Sequence, residues 1–228
     1  MKQILKQPVY LGLITGIVIL YIAFLSLDTF LSTSRTMLSL QLKYASMVFC
    51  FLLAVVLYKQ SDNKKDSKYV VIALFFTLIA DIFLLFTSND IAGIFFFCLV
   101  QLTYLKRYNT KFFAVGLSLI PVAILVYLFA PIDPLFVIAG FYAILILSCF
   151  ISTFYTELPR FNSICVRLGM FLFILCDIHV ALFNQLPRNV AYHQVAAVAM
   201  WFFYLPSQLL ISLSAYHFEE NKRSVGIE

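Results

Sequence analysis

Eight long apolar runs follow one another along the sequence, separated by short stretches that contain charged residues, proline, glycine or asparagine. Crossing a membrane as a helix takes roughly 17–25 mostly apolar residues, and most of the runs have that length. We therefore predict an all-α bundle of eight transmembrane helices, near residues 8–27, 38–58, 69–87, 91–105, 112–130, 135–154, 164–184 and 195–216. The fourth run is short, so we expect it to tilt, to thin the membrane locally, or to be extended by the snorkelling side chains of Lys106 and Arg107.

The composition excludes a soluble fold. Of the 228 residues, 63% are hydrophobic and 12% are charged, whereas soluble domains have about 45–50% apolar and about 25% charged residues. Since no segment is polar enough to fold separately, we predict one integral membrane domain over residues 1–228. The apolar run from Val9 to Leu27 is too long for an ordinary signal peptide core, so we predict that it is a retained helix.

The basic residues predict the orientation of the bundle. Arg35 and Arg188 fall on one side of an eight-span arrangement and Lys43 lies within a span, while the other basic residues of the loops and tails fall on the opposite side. By the positive-inside rule, both termini are predicted to lie in the cytoplasm, and we expect a bacterial-type plasma membrane. Topology and anionic lipid headgroups account for the net charge of +5, so we expect no nucleic-acid partner. The residues on the basic side are Lys2, Lys6, Lys59, Lys64, Lys65, Lys68, Lys106, Arg107, Lys111, Arg160, Arg167, Lys222 and Arg223.

The cysteines and histidines indicate neither a disulfide framework nor a metal centre. Five cysteines lie within or beside apolar runs without paired spacing, and the three histidines form no metal-ligand pattern with them. We therefore read the cysteines as small core residues. We expect no metal and no cofactor.

Three ionisable residues lie inside the predicted spans. Asp81 and Asp177 stand at the centres of the third and seventh runs, and Lys43 lies in the second. At a helix rise of about 1.5 Å per residue, all three reach one layer of the membrane. A charge at such a depth is costly, so these residues are candidates for a functional site. If all three were ionised the layer would carry one net negative charge, so one carboxyl is expected to carry a proton.

Packing alone is the alternative explanation. In that case Lys43 pairs with one aspartate, and the other aspartate is protonated and hydrogen-bonded to a neighbouring helix. Because buried ionic groups contribute little stability in an apolar medium, three of them at one depth favour a functional site over packing.

Polar residues on two other helices can face the same layer. Tyr204, Gln208 and Ser212 share a face of the eighth helix at spacing i, i+4, and Gln101 and Tyr104 share a face of the fourth. They either present hydrogen-bonding groups to a ligand or join helices to one another. His179 points about 200° away from Asp177 around its helix, so we expect it to face another helix or the headgroup region.

The order of these residues also indicates an internal duplication. The third and seventh helices enter the membrane from the same side and each carries a central aspartate, while the helix after each carries a glutamine, Gln101 or Gln208. A four-plus-four repeat would produce this arrangement. Lys43, however, has no basic counterpart in the sixth helix.

Several short segments together carry a resemblance to a known family. They are Lys43 in LQLKYASM, Asp81 followed by Leu84 and Leu85, Gly93 through Gln101 to Tyr104, Asp177 in LFILCDIHVAL, and Tyr204 with Gln208, Ile211 and Ser212. In order and spacing the chain resembles the YhhN/TMEM86 family of lysoplasmalogenase-like membrane proteins, which have eight predicted spans and membrane-embedded aspartates. The resemblance covers most of the chain, from about Lys43 to Ser212.

The chain departs from the family pattern at four places. The family typically has Lys-Pro at Lys43-Tyr44, Gly-Asp at Ala80-Asp81, histidine at Gln101 and Ser-Asp at Cys176-Asp177. The Gln101 amide can form hydrogen bonds but cannot titrate, so no proton transfer by an imidazole is available at that position.

The resemblance implies hydrolysis of the vinyl ether bond of a lysoplasmalogen, which releases a fatty aldehyde. One of Asp81 and Asp177 would be the general acid, and the other would stabilise the cation and orient water. Lys43 would hold one aspartate ionised or meet the substrate phosphate, and Tyr104, Tyr204 and Gln208 would orient water or the glycerol hydroxyl. The expected partners are a single-chain vinyl ether lysophospholipid and membrane lipid. The alternatives are a proton- or cation-coupled transporter, a lipid-binding membrane protein, or a family fold that has lost catalysis.

Overall fold

The computed structural model describes residues 8–30, 36–87, 89–187 and 191–216. Each of its eight α-helices is long and apolar enough to cross a membrane. The prediction of an all-α bundle with eight spans is therefore confirmed, and the protein is an integral multi-pass membrane protein. The helices are α1 (Pro8–Phe30), α2 (Met37–Gln60), α3 (Lys64–Ile82), α4 (Asp90–Tyr108), α5 (Thr110–Phe129), α6 (Pro134–Ser152), α7 (Arg160–Gln185) and α8 (Ala191–Leu213).

The helix ends differ from the predicted ones where polar residues cap a helix or continue it. α3 begins at Lys64 rather than near residue 69, because the Asn63 side chain accepts a hydrogen bond from the Asp66 amide. α1 continues past residue 27 to Phe30 and so includes Asp28. α8 ends at Leu213, three residues before its predicted end. Charged side chains can therefore lie on the helices themselves.

Two helices end in a turn of different pitch. α6 ends in a 3-10 helix, Thr153–Tyr155, and α3 continues into a π-helix, Phe83–Thr87. The π-helix begins two residues after Asp81, and such turns are often found beside functional sites. Gly93 of α4 faces it, where an added Cβ would lie 2.4 Å from Leu84 Cδ2. The glycine therefore lets α4 pack closely against the π-helix.

α4 and α8 occupy the centre of the bundle. α4 packs against α3, α5 and α6, and α8 packs against α7, α1, α2 and α3. At Gly169 of α7, a Cβ would lie 2.8 Å from Ile211 Cγ1, so this glycine allows α8 to come close. Contacts of α4 with α5 and α6 correspond to contacts of α8 with α1 and α2, as a four-plus-four repeat would produce. The repeat itself stays a prediction.

One end of the bundle, here called the basic end, contains the α2–α3, α4–α5 and α6–α7 connections. There the Arg107 guanidinium donates to both carboxylate oxygens of Asp66, at 2.9 and 2.7 Å. It also donates to the Ser214 hydroxyl and carbonyl, each at 2.9 Å. Asn162 Nδ2 donates to the same Ser214 carbonyl at 3.0 Å. These bonds join α3, α4 and α7 to the residue that follows α8.

The basic-end bonds correct one expectation about the short fourth helix. Arg107 is only 8% exposed and pairs with Asp66, so the expected snorkelling is wrong for this residue. The neighbouring Lys106 is exposed, and its ammonium lies 4.9 Å from the Phe113 ring centroid. Lys2, Lys6, Arg35, Arg188, Lys222 and Arg223 lie outside the described residues. That the basic end faces the cytoplasm stays a prediction.

Candidate active site

Asp81 is enclosed in the half of the bundle that lies away from the basic end. Its side chain is buried, with 3% of the residue exposed. The Tyr204 hydroxyl of α8 lies 2.9 Å from Asp81 Oδ1 and 3.1 Å from Oδ2, and donates to the carboxylate. The polar face predicted for the eighth helix therefore reaches Asp81 through Tyr204.

Asp177 has a different environment. Its Oδ2 accepts a hydrogen bond of 2.7 Å from the Tyr142 hydroxyl of α6, and the residue is half-buried. Tyr142 was not predicted as a site residue from the sequence. The depth of Tyr142 along its helix could have identified it, because it equals the depth of Asp177. Tyr142 lies eight residues after the start of α6 and Asp177 eight residues before the end of α7, so each is about 12 Å from the same end of the bundle.

A phenylalanine joins the two tyrosine–carboxyl pairs. The Phe97 ring of α4 has its centroid 6.0 Å from that of Tyr142 and 6.5 Å from that of Tyr204. Cys176 of α7 lies within electrostatic range of both Asp81 and Asp177. The structure thus brings the two predicted aspartates into one neighbourhood, with a tyrosine bound to each.

Lys43 has a partner that the sequence analysis did not single out. Its ammonium lies 2.6 Å from Asp28 Oδ2, and both side chains are buried. The Ser39 hydroxyl donates to Asp28 Oδ1 at 2.6 Å. The expectation that Lys43 pairs with Asp81 or Asp177 is corrected to a pair with Asp28. That Lys43 meets a substrate phosphate stays a prediction. Asp28 was missed because the first span was predicted to end at residue 27, one position before it.

The helix ends of the structure refine the depths of the charged residues. Lys43 lies six residues after the start of α2, and Asp81 lies six residues before the end of the π-helix. Each is therefore about 9 Å from the end of the bundle opposite to the basic end. The shared depth of Lys43 and Asp81 agrees with the single layer expected from helix rise, and Asp28 of α1 adds a fourth ionisable residue to this half of the bundle.

Neither Asp81 nor Asp177 forms a salt bridge with any residue that the structure describes. Their hydrogen bonds come from neutral hydroxyl groups, those of Tyr204 and Tyr142. A buried negative charge without a cation is costly in an apolar medium. A proton is therefore the neutralising partner that remains available to these carboxyl groups.

The other predicted site residues fall into two groups. The side-chain amides of Gln101 and Gln208 and the Tyr104 hydroxyl are fully buried and have no hydrogen-bond partner within the described ranges. Gln101 lies next to Tyr142. Buried polar atoms of this kind are ordinarily satisfied by water or by a ligand. Ser212, by contrast, donates to the Gln208 carbonyl of its own helix at 2.7 Å, so its hydroxyl is already used.

His179 lies apart from this hydrogen bonding, whereas the Cys149 thiol donates to the Gln101 carbonyl at 3.1 Å. His179 Nδ1 lies 2.7 Å from the Leu175 carbonyl, and its ring packs 5.3 Å from that of Phe203 on α8, so it faces another helix as expected. All five cysteines are free and buried. No group of three or more metal-ligating side chains occurs in the part of the chain that the structure describes.

The fold and these contacts define a class of protein, an integral membrane helical bundle with two tyrosine-bound carboxyl groups in its interior. Residues 38–215 match the model of the YhhN family. The chain belongs to the YhhN family, and the resemblance found in its sequence is confirmed. No functionally curated protein and no solved structure matches the chain. The match covers nearly all of α2 to α8 and leaves out α1, the helix that carries Asp28.

Proposed function

We propose that the protein is a lysoplasmalogenase-type hydrolase, which cleaves the vinyl ether bond of a single-chain lysophospholipid. The observation that carries this proposal is the arrangement of Asp81 and Asp177. Each carboxyl group lies at membrane depth, accepts a tyrosine hydroxyl and has no cationic partner among the described residues. Family membership is compatible with a hydrolase. We expect the protein to act in a bacterial-type plasma membrane.

The chemistry of a vinyl ether sets the requirements of the site. A proton must be added to the double-bond carbon that does not bear oxygen, which leaves an oxocarbenium ion at the other carbon. Water adds to this cation and loses a proton, and the resulting hemiacetal breaks its bond to the glycerol oxygen. The products are an aldehyde and a glycerol hydroxyl, and one water is consumed. Catalysis therefore needs a proton donor and a carboxylate that stabilises the cation and accepts the proton of water.

We assign proton donation to Asp81. This carboxyl is enclosed, and no described cation compensates a charge there, so a proton neutralises it at the lowest cost. Asp177 is half-buried, so it is the more accessible of the two carboxyl groups. In this assignment Asp177 stabilises the oxocarbenium ion and takes the proton from water. When the hemiacetal breaks its bond to the glycerol oxygen, Asp177 returns this proton to that oxygen. The proton of the hemiacetal hydroxyl returns to Asp81, which completes the cycle.

The unpartnered polar groups fit the polar part of such a substrate. The amides of Gln101 and Gln208 and the Tyr104 hydroxyl can orient the attacking water or the free glycerol hydroxyl. Gln101 lies next to Tyr142, which holds Asp177, so water bound there would be close to the carboxylate that activates it. The alkenyl chain would stay among membrane lipids and enter at the half-buried side of Asp177.

Aldehyde release from lysoplasmalogen tests the function. The purified protein in detergent should convert a vinyl ether lysophospholipid, and it should leave the saturated ether and the ester with the same headgroup and chain length intact. Run in deuterium oxide, the reaction should place one deuterium on the carbon next to the aldehyde, because that carbon receives the proton. Aldehyde without this deuterium would contradict the acid mechanism, and equal cleavage of the ester would contradict the substrate class.

A transporter is the second candidate, because the contacts of α4 with α5 and α6 have counterparts in those of α8 with α1 and α2, as a four-plus-four repeat would produce. In that case Asp81 and Asp177 carry protons or cations across the membrane. Vesicles containing the protein would then show substrate-dependent proton movement, and no vinyl ether lysolipid would be cleaved. Aldehyde release without proton movement would rule this candidate out.

A further inference from the structure

We propose that Gln101, Tyr104 and Tyr108 bind a row of ordered water molecules inside the bundle, and that this row supplies the water that hydrolysis consumes. Each turnover of the proposed reaction uses one water, which Asp177 activates. The role of the row in catalysis therefore rests on the proposed function. The binding of water itself does not.

The three side chains are buried on one face of α4. Gln101 and Tyr104 are 0% exposed and Tyr108 is 5% exposed, and their spacings of three and four residues place them on the same face. The Gln101 amide and both hydroxyl groups have no hydrogen-bond partner in the part of the chain that the structure describes. Each of them can both donate and accept a hydrogen bond. Buried polar groups of this kind are ordinarily satisfied by ordered water.

These groups follow one another along the bundle axis. Tyr108 ends α4 at the basic end, and Tyr104 and Gln101 lie four and seven residues before it, about 6 and 10 Å away. Tyr142 lies ten residues before the end of α6, about 15 Å from the same end of the bundle. The rings of Tyr104 and Tyr108 stack with centroids 5.9 Å apart. Gln101 lies next to Tyr142, whose hydroxyl donates to Asp177, so the series leads from the basic end to that carboxyl.

Backbone contacts hold α6 against this face of α4. The Cys149 thiol of α6 donates to the Gln101 carbonyl at 3.1 Å and lies within electrostatic range of Tyr104 and Tyr108. The Thr156 hydroxyl, which follows α6, donates to the Tyr108 carbonyl at 3.0 Å. Both contacts use carbonyl oxygens of α4. The side-chain amide and hydroxyl groups of α4 are therefore left to bind water.

The series begins beside a polar group that solvent reaches. The Arg107 guanidinium lies 5.5 Å from the Tyr108 ring centroid, and it pairs with Asp66. The Asp66 side chain is 11% exposed at the basic end. Water can therefore be exchanged at this end of the row.

The outer side of the Tyr142–Asp177 pair, in contrast, is apolar. Ile144 follows Tyr142 on α6 and Ile178 follows Asp177 on α7, and each isoleucine is 49% exposed at membrane depth. Hydrocarbon rather than water surrounds such side chains in a membrane. An alkenyl chain can approach Asp177 from this side, whereas water must come through the polar interior.

Radiolytic footprinting tests for the bound water without any substrate. X-rays produce hydroxyl radicals from water, and radicals formed from water held inside a protein oxidise the side chains that touch it. Tyr104 and Tyr108 should be oxidised in the purified protein, as should the exposed Tyr155. Met47, which is fully buried on α2 and belongs to a more easily oxidised residue type, should stay intact. Intact Tyr104 and Tyr108 beside an oxidised Tyr155, or equal oxidation of Met47, would overturn the proposal.

The kinetic test uses Gln101→Leu and Tyr104→Phe, with Gln185→Leu at an exposed glutamine of α7 as the control. Each of the first two should lower kcat about 2- to 10-fold, the effect of one lost hydrogen bond. KM should change by no more than about twofold, because these groups bind water rather than substrate. Gln101→His, which keeps a hydrogen-bonding side chain, should retain more activity. A raised KM with an unchanged kcat would show that they bind the glycerol hydroxyl and would overturn the proposal.

A double variant tests the link to Asp177. In an Asp177→Asn background, Gln101→Leu should have no further effect on kcat, because the water that it helps to supply is no longer activated. An equal fall in both backgrounds would overturn this link. If the buried groups serve only dry packing, Tyr104→Phe should raise the melting temperature and leave kcat unchanged.

The two kinds of measurement separate the water row from the proposed function. Oxidised Tyr104 and Tyr108 in a protein that releases no aldehyde would support the bound water and contradict the hydrolase. Aldehyde release by a protein in which both tyrosines stay intact would contradict the bound water and leave the hydrolase standing.

Discussion

The bundle contains two polar layers at different depths, and they differ in how completely their charges are paired. At the basic end, Arg107 donates to both oxygens of Asp66 and to Ser214, so cation and anion are matched. In the other layer, the hydrogen bonds that Asp81 and Asp177 accept from described side chains come from tyrosine hydroxyls. Both layers cost desolvation energy. Only the second leaves carboxyl groups without a cation among the described residues.

This difference suggests that the two ends of the bundle have different roles, one in stability and the other in activity. The basic-end bonds join α3, α4 and α7 to the residue after α8, and so fix these helices relative to one another. With that end fixed, the other half can carry the unfavourable arrangement of two carboxyl groups that pair with no described cation. We therefore expect substitutions at the basic end to change stability and substitutions at the carboxyl layer to change activity.

The largest expected effect comes from the carboxyls themselves. Asp81→Asn and Asp177→Asn should each lower the rate of aldehyde release by about 10²–10⁴-fold, the usual contribution of a general acid or base. The melting temperature should stay the same or rise, because an uncompensated acid is replaced by a neutral group of the same shape. Single-turnover rates and thermal unfolding measure the two quantities. Asp62→Asn, at an exposed aspartate, is the control. A variant that kept more than about a tenth of the rate would remove that aspartate from the mechanism.

Arg107→Met should produce the opposite result. It leaves the Asp66 carboxylate without its cation, which costs about 3–5 kcal/mol of stability for a buried pair. The kcat of the folded fraction should not change. Lys106→Met removes the neighbouring exposed cation and should have little effect on either quantity. Unfolding in increasing denaturant measures the loss, and the double variant Asp66→Leu with Arg107→Met should regain part of it. If kcat fell while stability held, the division between the two layers would be wrong.

The tyrosines should show intermediate effects. Tyr204→Phe and Tyr142→Phe each remove a hydrogen bond to a carboxyl group that carries negative charge in the transition state, when Asp81 has given up its proton. Hydrogen bonds to charged groups are worth about 1.5–3 kcal/mol. The corresponding fall in kcat is roughly 10- to 100-fold. Tyr127→Phe, at an exposed tyrosine of α5, is the control. In an Asp177→Asn background, Tyr142→Phe should add little. A full further decrease there would show that Tyr142 acts independently of Asp177.

The smallest effect is expected at the π-helix beside Asp81. In Gly93→Ala the new Cβ would lie 2.4 and 2.5 Å from Leu84 Cδ2 and Cγ, so Leu84 must move. Overpacking of this kind costs about 1–3 kcal/mol, and kcat should fall slightly because the π-helix follows Asp81. Gly12→Ala and Gly140→Ala are matched controls, since nothing lies within 4 Å of the added Cβ at either position. Leu84→Ala should relieve the effect, and no relief would locate the strain elsewhere.

Much of the fold was predictable because membrane spans are encoded locally. Each run of apolar residues must satisfy its own backbone hydrogen bonds in lipid, and a helix does so without help from the rest of the chain. Eight spans and the candidate aspartates Asp81 and Asp177 follow from that rule together with the cost of a charge in lipid. The family match confirms the resemblance that rested on the same residues.

The partners of the polar side chains, by contrast, could not be predicted from the sequence, because they depend on how the helices pack. No local pattern says that Asp28 rather than Asp81 takes Lys43, that Tyr142 rather than Gln101 bonds to Asp177, or that Arg107 turns inward to Asp66. Such contacts join residues from 15 to 41 positions apart, on helices whose rotation and neighbours are set by the whole bundle. The sequence by itself determined which side chains are too polar for their depth. Only the tertiary structure decided which of them are paired with an opposite charge and which are held by hydroxyl groups, because charge compensation is a property of neighbours in space.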